Sequence, residues 1–115
     1  MPGKLREVNI KEDMPTASDA IKRVTFHISR SKALGYSALK LIHGYGSTGK
    51  GGKIRTETRT YLQRQMAKGA IKGFIIGEEF SIFNEATRSA FAVCDELRRD
   101  SDLERSNNGI TIVIL

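Results

Sequence analysis

Cysteine is almost missing from this chain, histidine is scarce, and nothing in it stays hydrophobic for long. The one cysteine among 115 residues, Cys94, has no partner for an internal disulfide and by itself makes neither a zinc site nor a redox pair; its spacing in an apolar helical pattern marks it as core. No apolar run approaches the roughly 20 residues of a membrane-spanning helix. The N-terminal MPGKLREVNI lacks the apolar stretch of a secretory signal, so a cytoplasmic protein with no membrane partner is expected. Internal repeats, low-complexity tracts and linkers are also lacking, which leaves one domain over residues 1–115. With 39% hydrophobic and 28% charged residues the composition is globular, excluding a disordered or fibrous chain. A domain of this size buries roughly two thirds of its unfolded surface, enough for one ordinary core.

What is present in excess is positive charge, unevenly placed. The formal net charge is +6. Residues 1–39 hold seven basic and four acidic side chains, residues 40–76 hold eight and one, and residues 77–115 hold four and eight. The middle third, with Lys40, Lys50, Lys53, Arg55, Arg59, Arg64, Lys68 and Lys72 against Glu57 alone, is a footprint for a polyanion or, more plainly, a solvated helix face.

Periodicity orders the elements. Leu5 to Ile10 alternates apolar and polar residues as a half-buried strand does. Thr16-Ala17-Ser18-Asp19 has the form of a capping box, and Ala17, Ala20, Ile21, Val24 and Ile28 follow at helical spacing up to a stop at Gly35. Tyr36 to His43 reads as a strand covered on both faces. After the glycine-rich Gly44 to Gly52, a helix is expected from near Lys53, with Ile54, Thr58, Tyr61, Leu62 and Met66 on one face and Gly69 as its C-terminal cap. Ala70 to Ile76 and Ile110 to Leu115 read as two further strands. Phe80, Phe83, Ala86, Ala90, Val93, Cys94 and Leu97 predict a third helix over about Phe80 to Arg99. The expected fold is α/β (α+β), in the order β-α-β-α-β-α-β. The third helix covers this domain's own sheet in the simpler, monomeric arrangement; pairing with a second chain in a homodimer is the other.

Chemistry concentrates at GYGSTGKGG, Gly44 to Gly52. Literal matching gives a dinucleotide fingerprint and most of a phosphate-loop nucleotide site. The second needs Ser or Thr after the lysine to hold magnesium, and Gly51 stands there instead. The first wants a helix that begins within the glycines and an acid about 20 residues on, yet Glu78 comes later. What both motifs share is an anion site: consecutive small residues bring backbone N–H groups close, and the next helix adds the partial charge of its N-terminus. With Lys50, Lys53 and Arg55 at that end and Arg59 a turn further on, the charge outruns one phosphate and favours a polymer. A nucleotide-binding regulator that uses the same loop is the weaker alternative.

Leu39-Lys40-Leu41-Ile42-His43-Gly44-Tyr45-Gly46, the basic helix after it, and Asn108-Gly109-Ile110-Thr111-Ile112-Val113-Ile114-Leu115 together resemble the Smr (small MutS-related) domain family. The first resembles its strand ending in HGxG, the last its closing glycine and TxV-type strand. The likeness covers most of the chain, with residues 77–105 resembling a helical insertion. It implies a mixed four-stranded sheet packed with helices, similar to the C-terminal domain of a bacterial translation initiation factor. It also implies binding of DNA or RNA, branched or structured, and in many members endonuclease activity: nicking of DNA or cleavage of RNA. His43, Gly44 and Gly46 fall on the HGxG positions. At the first strand, members commonly carry an LDxH-type motif where this chain has Val8-Asn9-Ile10-Lys11, so Asn9 and Lys11 replace the acid and the imidazole near the glycine loop. Asn9 is no general base or anionic metal ligand, and Lys11 does not substitute for an imidazole at neutral pH.

Two hypotheses follow: an endonuclease that works through His43, with Mg or Mn as its divalent metal if one is used, or a binding module without catalysis and without a required cofactor. His43, with an ordinary pKa near neutrality, either moves a proton at a phosphate or orders the loop by bonding to backbone. Tyr45 either stacks on a base or packs the loop. His27, mid-helix, reads as a helix-face residue.

Overall fold

The computed structural model describes residues 3–44 and 49–115. Leu5–Asn9 form β1 and Ala17–Ala33 form α1. Thr16 caps α1 as its pattern predicts, the hydroxyl accepting the Asp19 N–H at 3.1 Å, and the helix stops where Gly35 takes a left-handed φ of 84°. β2 (Ala38–Ile42), α2 (Gly49–Ala67), β3 (Gly73–Ile76), α3 (Glu85–Val93) and β4 (Ile110–Ile114) complete the order read from the sequence. The fold is α+β with a mixed four-stranded sheet in the spatial order β1-β2-β4-β3. β1 and β2 are parallel, and the other two pairs are antiparallel.

The central strands β2 and β4 are buried on both faces, which is why they read as continuous apolar runs. Leu39, Leu41 and Val113 point to one face, where they meet Val24 and Ile28 of α1 and Ile54 and Leu62 of α2. Ala38, Ile112 and Ile75 point to the other, against Phe80, Ala90, Phe91, Cys94 and Leu97. Cys94 is fully buried, as its spacing indicates.

Two elements depart from expectation. The span predicted as one helix, Phe80 to Arg99, holds two pieces, the short α3 and a 3-10 turn at Asp95–Arg99, and a further 3-10 turn at Gly77–Glu79 precedes it. Asn84 is the physical reason at one end, since its side chain accepts the Thr87 N–H at 2.8 Å and starts a new helix there. At the other end Cys94 is extended, with φ −146°. Phe80, Phe91 and Leu97 still reach one core cluster, but Phe83 is 84% exposed and Val93 is exposed too. The second departure is α2, which begins at Gly49 and not near Lys53. Its Ile54, Thr58 and Leu62 are buried as expected, whereas Met66 is exposed.

One polar cluster ties the last third of the chain to the sheet. Lys40 points to the α3 side of β2, 2% exposed, and its Nζ lies 2.9 Å from Asp100, 3.5 Å from Glu7, and in contact with Asp102. Burial alone would lower the lysine pKa; the hydrogen bonds that Lys40 donates to Asp102 and Asp100 outweigh it and raise it. Lys40 is thus no part of an external footprint, which corrects its place among the middle-third cations. Removing one partner of such a cluster leaves buried charge uncompensated, so Lys40→Ala should cost about 3 kcal/mol in urea unfolding at pH 7. Lys40→Met combined with Asp100→Asn and Asp102→Asn should recover most of it, and a failure to recover would mean that the ion cluster itself supplies the stability.

Candidate nucleic-acid interface

Three loops converge at the C-terminal end of the parallel pair. The Ile10 N–H donates to the Ile42 carbonyl at 3.0 Å, extending the β1–β2 pairing by one residue. Asn9 then turns its side-chain oxygen onto the Lys11 N–H at 2.9 Å. Asp13 and Met14 have φ of 64° and 50°, and this unusual turn is held by Arg23 of α1, whose guanidinium donates to the carbonyls of Ile10 at 3.3 Å and Glu12 at 2.7 Å. In the second loop, the N–H groups of His43 and Gly44 both donate to the Gly109 carbonyl at 3.0 Å, which joins it to the segment before β4. Gly44 has φ 76°, and a Cβ there would come within 2.9 Å of Lys11 Cδ. Glycine is favoured at this position by its left-handed backbone, while the exposed stem of Lys11 that lies across it is able to move aside.

His43 is fully buried on the α1/α2 side of β2. Its Nδ1 is 2.8 Å from the Gly44 carbonyl and its Nε2 is 2.8 Å from Thr111 Oγ1. A carbonyl only accepts, so the proton sits on Nδ1 and Nε2 accepts from the Thr111 hydroxyl. Thr111 in turn accepts from Arg59 Nε at 3.2 Å. Arg59 completes the chain with two bonds to the Glu78 carboxylate, at 2.9 and 2.7 Å, and with bonds to the carbonyls of Ile110 and Asn108. Burial drives the His43 pKa down to about 4, with Arg59 and Arg55 acting in the same direction against the Gly44 bond. The ring is neutral at pH 7. Of its two readings, the loop-ordering one describes the observed contacts.

The basic residues of α2 do not form one stripe. At 100° per residue, Lys53 and Arg55 leave opposite flanks of the helix. Arg55 and Arg59 lie on the β3 side, lining an open groove of about 680 Å³ with Thr56, Thr60, Glu78 and Asn108. Lys53 is exposed on the other flank. Among the described residues, neither Lys11, Lys53 nor Arg55 makes an ion pair, whereas Arg59 is engaged by Glu78. Arg59 is therefore part of the scaffold in the free protein, not an open phosphate ligand. The expectations for Tyr45, Gly46 and the side chain of Lys50 lie outside the described residues. Among those described, no three His, Cys, Asp or Glu side chains gather in one place. No described helix is long and apolar enough to cross a membrane.

The architecture has a solved counterpart. The crystal structure of the Smr domain of Thermus thermophilus MutS2 superimposes with a TM-score of 0.59 over 96% of each chain, at 22% identity. The protein has the Smr-domain fold. No family model and no curated protein sequence matches it. Within the Smr fold the HGxG histidine of this chain is the buried centre of a hydrogen-bond chain. The start of α2 at Gly49 removes one argument against a dinucleotide site, namely a delayed helix, but the sheet has a single parallel pair flanked by antiparallel strands. Three residues that matter here were not singled out as site residues: Arg23, Thr111 and Glu78. Thr111 was visible only as part of the closing-strand resemblance, and an arginine in mid-helix carries no signal of a carbonyl clamp.

His43 makes stability depend on pH. With its pKa at 6.5 unfolded and about 4 folded, the unfolded chain takes up the proton first, so stability is complete above about pH 6.5 and falls as pH drops toward 4. The part lost by pH 5 is about 2 kcal/mol. Urea unfolding of His43→Gln should show a drop between pH 7 and pH 5 that is smaller by that amount. An equal drop in variant and parent would place the titration elsewhere.

Proposed function

We propose that the protein is a nucleic-acid-binding domain that grips the phosphate backbone at the mouth of the glycine turn, and that it binds without cleaving. The observations that carry this reading are the contact of Lys11 with Gly44 at the end of the β1–β2 pair and the unpaired Lys53 and Arg55 in the first turns of α2, on either side of the helix axis. These three cations lack internal ion pairs among the described residues. Lys53 and Arg55 offer a strand at the first turns of α2 a cation on each flank, and the helix N-terminus adds its partial positive charge. The Smr-like fold agrees with this use of the face.

The surroundings of His43 support the reading without cleavage. A proton-transfer group has to reach the reacting oxygen directly or through one water. The His43 ring is fully enclosed, and both its nitrogens are engaged by Gly44 and Thr111. Asn9, exposed at the end of β1, supplies no base, so the first-strand positions offer hydrogen bonds and charge only. Branched DNA or hairpin RNA is the expected class of substrate for binding, recognised by shape and charge.

Gel retardation of a branched DNA, a DNA duplex and an RNA hairpin over a salt series tests the proposal. On the duplex, log affinity should fall linearly with log salt, and Lys11→Ala with Lys53→Ala and Arg55→Ala should flatten the slope by roughly 0.9 per contact removed. Unchanged affinity and slope would rule out this face. On denaturing gels, with and without magnesium, no products should form; products abolished by His43→Gln would reinstate the nuclease.

A further inference from the structure

Arg59 is held from two sides of different character. From within, Thr111 Oγ1 at 3.2 Å and the Ile110 carbonyl at 3.2 Å fix the plane of its guanidinium against the end of β4. From the groove, Glu78 takes both terminal nitrogens, at 2.9 and 2.7 Å. The Arg59 side chain is 18% exposed and that of Glu78 is 38% exposed, so the carboxylate is the outer partner and the one nearer solvent. Two parallel bonds from one guanidinium to two oxygens are the geometry in which arginine receives a phosphate as readily as a carboxylate. One turn toward the glycine loop, on the same flank and lining the same groove, stands Arg55, which has no ion pair among the described residues. Glu78 is the single acidic side chain lining that groove.

We propose that the groove between α2 and β3 is a second phosphate subsite, in which Glu78 occupies in the free protein the place on Arg59 that a backbone phosphate takes in the complex. The proposal rests on the nucleic-acid reading above and adds a selection rule to it. A single phosphate meets Arg55 alone and has to compete with a tethered carboxylate for Arg59. A strand that already engages Lys11, Lys53 and Arg55 brings its next phosphate to Arg59 at high effective concentration and displaces Glu78. Ligands with several adjacent phosphates are thereby favoured over mononucleotides. The inner bonds to Thr111 and Ile110 keep the guanidinium in place while its outer partner changes.

The test uses Glu78→Gln, which keeps the shape and removes the competing charge. With a DNA duplex as probe, its affinity should rise roughly three- to tenfold, the scale of one exposed ion pair, and the salt dependence should steepen by up to about 0.9 in slope. Adding Arg59→Gln should abolish the gain. Glu78→Asp, with a shorter reach, provides a second variant if Glu78→Gln does not fold, and it should also bind more tightly than the parent. Inorganic pyrophosphate, followed through the Arg59 Nε–H resonance, gives an arm independent of nucleic acid: it should shift that resonance at lower concentration in Glu78→Gln than in the parent. Parent protein that binds no nucleic acid would defeat the functional reading, with pyrophosphate still deciding the subsite. Variants that bind duplex and pyrophosphate no better than the parent would overturn the inference and leave the pair as a structural tie.

Discussion

A neutral imidazole, fully enclosed and hydrogen-bonded at both nitrogens, is the constraint around which this end of the molecule is arranged. Because the Gly44 carbonyl only accepts, the direction of every bond in the chain is determined: His43 donates to Gly44, Thr111 donates to His43, and Arg59 donates to Thr111. The chain runs from the first glycine of the turn, through β2 and β4, to α2 and the 3-10 turn that carries Glu78. Leaving any one of these buried groups unpaired would cost about 1–3 kcal/mol. Protonation of His43 would reverse its bond with Thr111, since Nε2 would then donate to the hydroxyl oxygen and the Thr111 hydrogen would lose its acceptor. Low His43 basicity and the position of the glycine turn are two consequences of one arrangement.

The opposite face of the same strand carries its polar counterpart. Along β2, Leu39, Leu41 and His43 point toward α1 and α2, while Ala38, Lys40 and Ile42 point toward α3. Each set contains one buried polar residue, His43 on one side and Lys40 on the other, and each binds a different distant segment to the sheet. A slip of one residue in pairing would exchange the faces and leave both without partners. The register Leu39↔Val113 and Lys40↔Ile112 is thus specified by polar contacts as well as by the apolar alternation. Close backbone approach adds a third tie: a Cβ on Gly77 would run into the Asn107 carbonyl, so glycine alone lets the turn after β3 meet the loop before β4.

Regular elements with strong local signals were readable from the sequence. The Thr16 cap, the stop at Gly35, the apolar runs of β2 and β4 and the core position of Cys94 all follow from local chemistry, and with them the element order, while the Smr-like architecture came from the resemblance of residues 39–46 and 108–115. The third helix was not, because Phe80, Phe91 and Leu97 converge on one cluster from three separate pieces, and helical spacing alone does not tell one helix from three short turns that share a core. At the site, the importance of His43 and Gly44 was legible and the contacts of His43 were not. Its ring is paired with Thr111, 68 residues away, and no local pattern announces a long-range hydrogen bond. Arg59 looked like surface charge for the same reason, since its partner Glu78 lies in an acidic segment that has no helical register with it.

That last pairing changes how the charge asymmetry is understood. The positive middle and the negative end of the chain are in part each other's partners: Lys40 meets Asp100 and Asp102, and Arg59 meets Glu78. Such internal neutralisation weakens the field of the folded molecule compared with the field its linear sequence suggests. Among the described residues Lys11, Lys53 and Arg55 are left without ion pairs. In general a few separate cations make a more selective device than a long basic stripe, because a stripe attracts any polyanion along its length.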